Sequence, residues 1–139
     1  MTAPGKPAEA VQAEVDACEA FRAAMEARDV DAAVALFSED ATFHSPVVHQ
    51  HYSGREALRA IISSVATVFE DFRYTASYAG ADGHVFEFEA RVGDRSLQGV
   101  DILKSADGVL TGLTVMVRPY SAATALRERM AALFAQQTV

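Results

Sequence analysis

The chain has 139 residues, half of them hydrophobic, with 19 acidic against 12 basic residues and a formal net charge of -7. That length suits one folded domain with a real core. The acidic balance leaves no basic face for the phosphates of a nucleic acid or for an anionic membrane surface.

Cys18 is the only cysteine, which excludes an intrachain disulfide and a cysteine metal cluster. No apolar stretch approaches the ~20 residues of a membrane span, and MTAPGKP lacks the apolar run of a signal peptide. The expected setting is the cytoplasm. Residues 1–7 read as a flexible tail and residues 8–139 as a single domain.

Val11, Val15, Cys18, Phe21 and Met25 recur at spacings of three and four and predict a first helix with one apolar stripe. Arg28-Asp29 breaks it. Asp31 is expected to cap a short helix, AAVALF, carrying Val34 and Phe37. Glu39-Asp40 reads as a turn, Ala41 to Ser45 as a strand stopped by Pro46, and Arg55 to Glu70 as an amphipathic helix with Leu58, Ile61, Ile62, Val65 and Phe69 inward.

The period then changes from 3.6 to 2. Phe72 to Tyr78 predicts a strand. From His84 to Val92, Phe86, Phe88, Ala90 and Val92 share one face, and Glu87, Glu89 and Arg91 the other. Gly93-Asp94 and Ala106-Asp107-Gly108 are turns around the strand Arg95 to Lys104, and Val109 to Arg118 is the last strand. Ser121 to Gln137 predicts a terminal helix with Leu126, Met130 and Leu133 apolar. Helices followed by a meander imply an α+β fold: a curved, mainly antiparallel sheet wrapped around helices, cone-shaped, with its open end a pocket.

These residues also carry a resemblance. The helix AFRAAMEARDVDAAVALFSEDATFHSP, the junction PVVHQHYSGREAL and the strands LQGVDIL and GLTVMVRP are similar to the SnoaL-like branch of the nuclear transport factor two-like superfamily, near ketosteroid isomerases and polyketide cyclases. The resemblance covers nearly the whole chain and implies a cystatin-like α+β barrel. It does not imply one activity, because this fold hosts isomerases, cyclases, hydrolases, dehydratases and non-enzymes.

Ketosteroid isomerase uses a carboxylate base with a tyrosine and a protonated aspartic acid as oxyanion donors. Carried over by position, the resemblance puts the tyrosine at Phe21, the base at Ser45 and the protonated acid at Asp101. Phe21 cannot donate a hydrogen bond and Ser45 alone is no base at neutral pH. That departure argues against steroid isomerisation by this route.

Asp101 is the expected catalytic residue. Alternation puts it on one face with Leu97, Gly99 and Leu103, opposite Gln98, Val100 and Ile102. A carboxyl group in apolar surroundings has a raised pKa unless it is paired. It can then act as acid or base; the competing reading is a structural aspartate hydrogen-bonded to neighbouring strands or paired with an arginine.

Phe21, Phe43, Phe69, Phe86 and Phe88 either line a pocket or pack the core; the expected ligand-binding set is Phe21, Phe43, Ser45, Phe86, Phe88 and Leu97. His44 and Ser45 are strand neighbours and face opposite ways, which opposes a Ser-His pair. His49 and His51 read as loop residues facing solvent or rimming the pocket. Their H-x4-H-x-H spacing with His44 lacks a carboxylate motif, so no metal is expected. No phosphate loop or dinucleotide fingerprint is present, so no cofactor is expected either. Tyr52, Tyr74, Tyr78 and Tyr120 could each supply a hydroxyl.

The function expected is binding of an apolar small molecule, as a cofactor-independent isomerase, cyclase or hydrolase using Asp101, or as a non-catalytic ligand-binding or dimerisation protein of the same fold. Val100 and Ile102 on the outward sheet face, with the superfamily's habit of pairing subunits there, imply a homodimer.

Overall fold

The computed structural model describes residues 8–137. The expected tail at 1–7 lies outside them, as do residues 138 and 139. In chain order the elements are α1 (Ala8–Glu26), α2 (Val30–Ala35), β1 (Phe37–His44), β2 (His51–Ser53), α3 (Arg55–Val68), β3 (Glu70–Gly80), β4 (Gly83–Val92), β5 (Arg95–Ala106), β6 (Val109–Arg118) and α4 (Tyr120–Gln137). The strands form one sheet in the order β2-β1-β6-β5-β4-β3. All neighbours are antiparallel except β1 with β6, so the sheet is mixed at one seam. It is curved and does not close. The fold is α+β, as the periodicity predicts.

The long strands form where alternation is strict. Along β4, His84, Phe86, Phe88, Ala90 and Val92 are buried and the residues between them are not. β5 repeats this from Leu97 to Ser105. Asp107 and Gly108 both have positive φ in the β5–β6 turn, the primed geometry that matches strand twist. The buried faces of β4, β5 and β6 meet α1 and α4, while α3 covers β1 and β2. On α1, Cys18 and Phe21 are buried, but Val11 is 44% exposed and falls off the expected apolar stripe.

Four local expectations are corrected. The second helix starts at Val30, and its cap is Asp29, whose carboxylate accepts from the Ala32 N–H at 3.1 Å; Asp31 lies inside the first turn. Phe37 opens β1 and does not belong to the helix. Glu39 and Asp40 sit within β1, where a register shift between Phe37 and Thr42 lets two exposed acids interrupt the parallel pairing with β6. His51 is the first residue of β2, which pairs Phe43 with Tyr52 and His44 with His51. Three residues are too few to show a period.

The buried side chains fall into two clusters. One gathers Phe21, Phe37, Phe43, Leu58, Ile61, Ile62 and Phe86 with their neighbours. The other gathers Phe69, Phe88, Val92, Leu97, Ala122 and Leu126. Tyr74, Val65 and Val115 pack against both.

Gly99 makes the second cluster possible. A Cβ built there would lie 2.5 Å from the Phe88 ring and 2.7 Å from the Met116 carbonyl oxygen. Gly99→Ala must therefore displace a fully buried ring or bend a strand. The expected loss is ~1–3 kcal/mol, the usual cost of overpacking, read as a lower midpoint in urea unfolding with an unchanged slope. An unchanged midpoint would show that Phe88 has room to move.

Candidate functional site

A cavity of about 280 Å³ lies inside the sheet, where the two clusters fail to meet. Its sheet wall is Phe43 of β1, Asp101 of β5 and Leu113 and Val115 of β6. Phe21 and Met25 of α1 close one side, and Ile61, Ile62 and Val65 of α3 another. The segment Ser45 to Val48, with Tyr52 of β2, forms part of the rim. Helix α4 contributes Leu126, Arg127, Met130, Ala131 and Phe134. The wall is almost wholly apolar, and the polar side chains on it are Ser45, Tyr52, Asp101 and Arg127.

Asp101 is 5% exposed. Its strand neighbours across the ladder are Phe86 and Val115. Tyr74 Oη donates to Asp101 Oδ2 at 2.6 Å. Burial pushes the Asp101 carboxyl up to about 7, with the Tyr74 hydrogen bond opposing part of that rise. Tyr74 is itself held well above the ordinary phenol range, by burial first, then by the Asp101 charge and by their hydrogen bond. The phenol therefore stays protonated and remains a donor. A carboxyl group that titrates near neutral pH in a largely apolar wall suits either direction of proton transfer.

The sequence left Tyr74 among four equivalent tyrosines. Its placement depends on a register shift in the β3–β4 pairing. Tyr74 stands opposite the buried Phe88, whereas Ala76 stands opposite the outward Glu87. Thr75 is the extra residue. Simple alternation would put Tyr78 on the same face as Tyr74; the bulge turns Tyr78 outward, 58% exposed, where its hydroxyl donates to Glu87 at 2.8 Å.

Of the expected ligand-binding residues, Phe21, Phe43 and Ser45 line the cavity. Phe86, Phe88 and Leu97 do not; they are 0%, 0% and 4% exposed and pack in the two clusters behind the wall. Alternation puts a residue on the inner face but does not say whether a neighbour covers it.

Phe21 meets Phe37 edge-on at 5.8 Å. Ser45 Oγ accepts from the Val47 and Val48 N–H groups at 3.1 and 3.2 Å, so it shapes the rim turn. No group of three or more His, Cys, Asp or Glu among the described residues could hold a metal. His44 and His51 face each other with ring centres 4.1 Å apart, and neither they nor His49 line the cavity.

Beyond the far wall lies a second buried polar group. Cys18, Glu14, His84 and Ser105 surround a void of about 10 Å³. His84 stacks on Phe86 at 4.7 Å. Burial raises the Cys18 thiol to about 11, with the Glu14 charge adding to the rise, so it is an inert core thiol.

No helix among the described residues is long and apolar enough to cross a membrane. A comparison with curated proteins finds no match. Among solved structures, a steroid delta-isomerase from Pseudomonas aeruginosa is 34% identical, with 98% of each chain covered and a TM-score of 0.82. A protein with a cystatin-like fold from Silicibacter pomeroyi is 28% identical over 84% of this chain and 83% of its own, with a TM-score of 0.79. A nuclear transport factor two-like protein from Mesorhizobium loti, 18% identical over 84% of this chain and 100% of its own, has the same fold with a TM-score of 0.71. The family model for the SnoaL-like domain matches residues 18–113. With the family model covering most of the chain, the protein belongs to the SnoaL-like domain family.

Proposed function

We propose that the cavity binds an apolar small molecule bearing an oxygen function, and that Asp101 handles a proton on it. The observation that carries this reading is one buried carboxyl group, pushed up to about 7, in a largely apolar wall. In its acid form Asp101 donates to a carbonyl or epoxide oxygen; ionised, it removes a proton from an adjacent carbon. Either step suits an isomerase, cyclase or hydrolase that needs no cofactor. The steroid delta-isomerase named among the structural relatives supports the chemical class, but Phe21 and Ser45 supply neither a phenol donor nor a base.

A non-catalytic ligand-binding reading has its own support in those two positions. Asp101 and Tyr74 are then one polar anchor in a carrier. The lone buried thiol of Cys18 agrees with a cytoplasmic setting.

We further propose that the outer sheet face pairs two copies. Val85, Val100, Ile102 and Met116 are cross-strand neighbours there, and Met116 is 56% exposed. Glu87, Lys104 and Arg118 frame them, the arrangement of an apolar interface centre with a polar rim.

The binding reading is tested with prodan, a neutral naphthalene ketone whose emission shifts to the blue in apolar surroundings. One probe should bind per chain, and Val65→Arg, which fills the cavity, should abolish the shift. Binding to wild type should weaken as the pH rises through about 7, when Asp101 loses its proton; Asp101→Asn should bind with no such dependence. Binding that Val65→Arg leaves intact would put the probe elsewhere.

The proton reading has a test without ligand. The folded pKa of Asp101 is raised above its ordinary 3.8, so its burial penalty is absent below that value, grows as the pH rises, and is complete above about 7. Asp101→Asn keeps an acceptor for Tyr74 and cannot ionise. Relative to wild type its melting temperature should therefore climb by several degrees between pH 4 and pH 8. In Tyr74→Phe the carboxyl loses the bond that favours its ionised form, and its titration, followed by carbon NMR, should move further upward. A flat difference or a downward movement would refute the assigned electrostatics.

For the dimer, light scattering at micromolar concentration should give the mass of two chains, and Val100→Glu with Met116→Glu should give one. A wild-type monomer removes the proposal, and a dimer that survives both changes moves the interface elsewhere.

A further inference from the structure

Arg22 pairs with Glu19 and Glu26, Arg59 with Asp31, Arg73 with Glu89, and Arg91 with Glu70 and Asp71. Two arginines of α4, Arg127 and Arg129, lack an ion pair or hydrogen bond among the described residues, and of these Arg127 lines the cavity. Yet acids outnumber bases 19 to 12 in this chain, so carboxylates are abundant. Arg127 is exposed on α4 and at the same time lines the cavity that holds the buried Asp101. An unpaired guanidinium at the mouth and a buried acid within give the cavity a direction.

We infer that the ligand is an amphipathic carboxylic acid, its carboxylate held by Arg127 at the mouth and its apolar body inside. This rests on the small-molecule reading above and names the class of molecule. The orientation follows from desolvation. A carboxylate pushed inward would lose its water against an apolar wall and meet a second carboxyl group. Facing outward, it keeps its water and gains a two-pronged donor.

One guanidinium suits a singly charged planar carboxylate; a phosphate would call for more donors than the wall carries. The volume sets the size. At about 280 Å³ the cavity is nearly twice the ~150 Å³ that takes a benzene ring. A two-ring or medium-chain acid fits, with any oxygen at its far end reaching Asp101.

The test compares 2-naphthoate with its neutral, nearly isosteric amide, 2-naphthamide, by calorimetry at pH 6 in low salt. At that pH the probe is ionised and Asp101 is mostly protonated. Wild type should bind naphthoate about fivefold more tightly than the amide, the scale of one favourable charge pair near solvent. In Arg127→Gln, a substitution that suits an exposed helix position, the two probes should bind equally and the amide should bind as it does to wild type. Raising the salt should shrink the wild-type preference.

If both probes bind wild type equally, or the preference survives in Arg127→Gln, the inference is overturned: Arg127 then only covers the apolar rim with its stem, and the small-molecule reading stands because the amide binds. If neither probe binds, both readings fall together.

Discussion

A curved sheet buries its inner face only if something fills the curve from end to end, and here three helices must do so. Helix α1 crosses β3 to β6, α3 lies on β1 and β2, and α4 returns over β4 to β6. Helices are straight on this scale and the sheet is not, so the inner residues condense into two clusters. Between them remains a cavity of about 280 Å³. Well-packed interiors hold few voids larger than a water molecule. One of this size leaves wall atoms without contacts, a state that a bound molecule would relieve.

That shortage of contacts also sets the electrostatics. Asp101 has the phenol of Tyr74 as its polar side-chain partner and apolar strand neighbours on both sides. A single neutral donor offsets only part of the desolvation of a carboxylate. Nearby charges could have fixed its state, but the ion pairs of β3 and β4 lie on exposed side chains: Arg73 bonds Glu89, and Arg91 bonds Glu70 and Asp71. The same pleat that turns these charges outward turns Asp101 and Tyr74 inward. The site acid is thus left close to the midpoint of its own titration.

The parts legible in the sequence are those where one period runs for many residues. β4 alternates along its whole length and β5 from Leu97 to Ser105, so their inner faces, Asp101 included, are readable from the sequence. Helix α3 was readable for the same reason: Leu58, Ile61 and Ile62 recur on one side and are all buried. What was not readable is whatever breaks a period. β2 is three residues long. The register shift in β1 hides Glu39 and Asp40 within a strand. The bulge at Thr75 decides which tyrosine reaches Asp101, and it follows from pairing with β4 rather than from local propensity.

Helix α4 is legible in the sequence, but Arg127 and Phe134 are not, because the apolar residues of SAATALRERMAALFAQQ are spread around the helix and mark no single face.

The site residues divide in the same way between what the fold demands and what chemistry demands. Phe86, Phe88 and Leu97 sit behind the cavity wall, where any well-fitting apolar side chain would satisfy the packing. Asp101 satisfies nothing in the packing: an apolar residue of similar volume would remove its desolvation cost and strand only one phenol. Phe21 and Ser45 differ again, because each has a structural use, one against Phe37 and the other holding the rim turn. A family fold can keep such positions for shape after their chemistry has changed. A buried carboxyl group with one partner has no comparable structural use, and that is why the proposed role in the cavity rests on Asp101 rather than on Phe21 or Ser45.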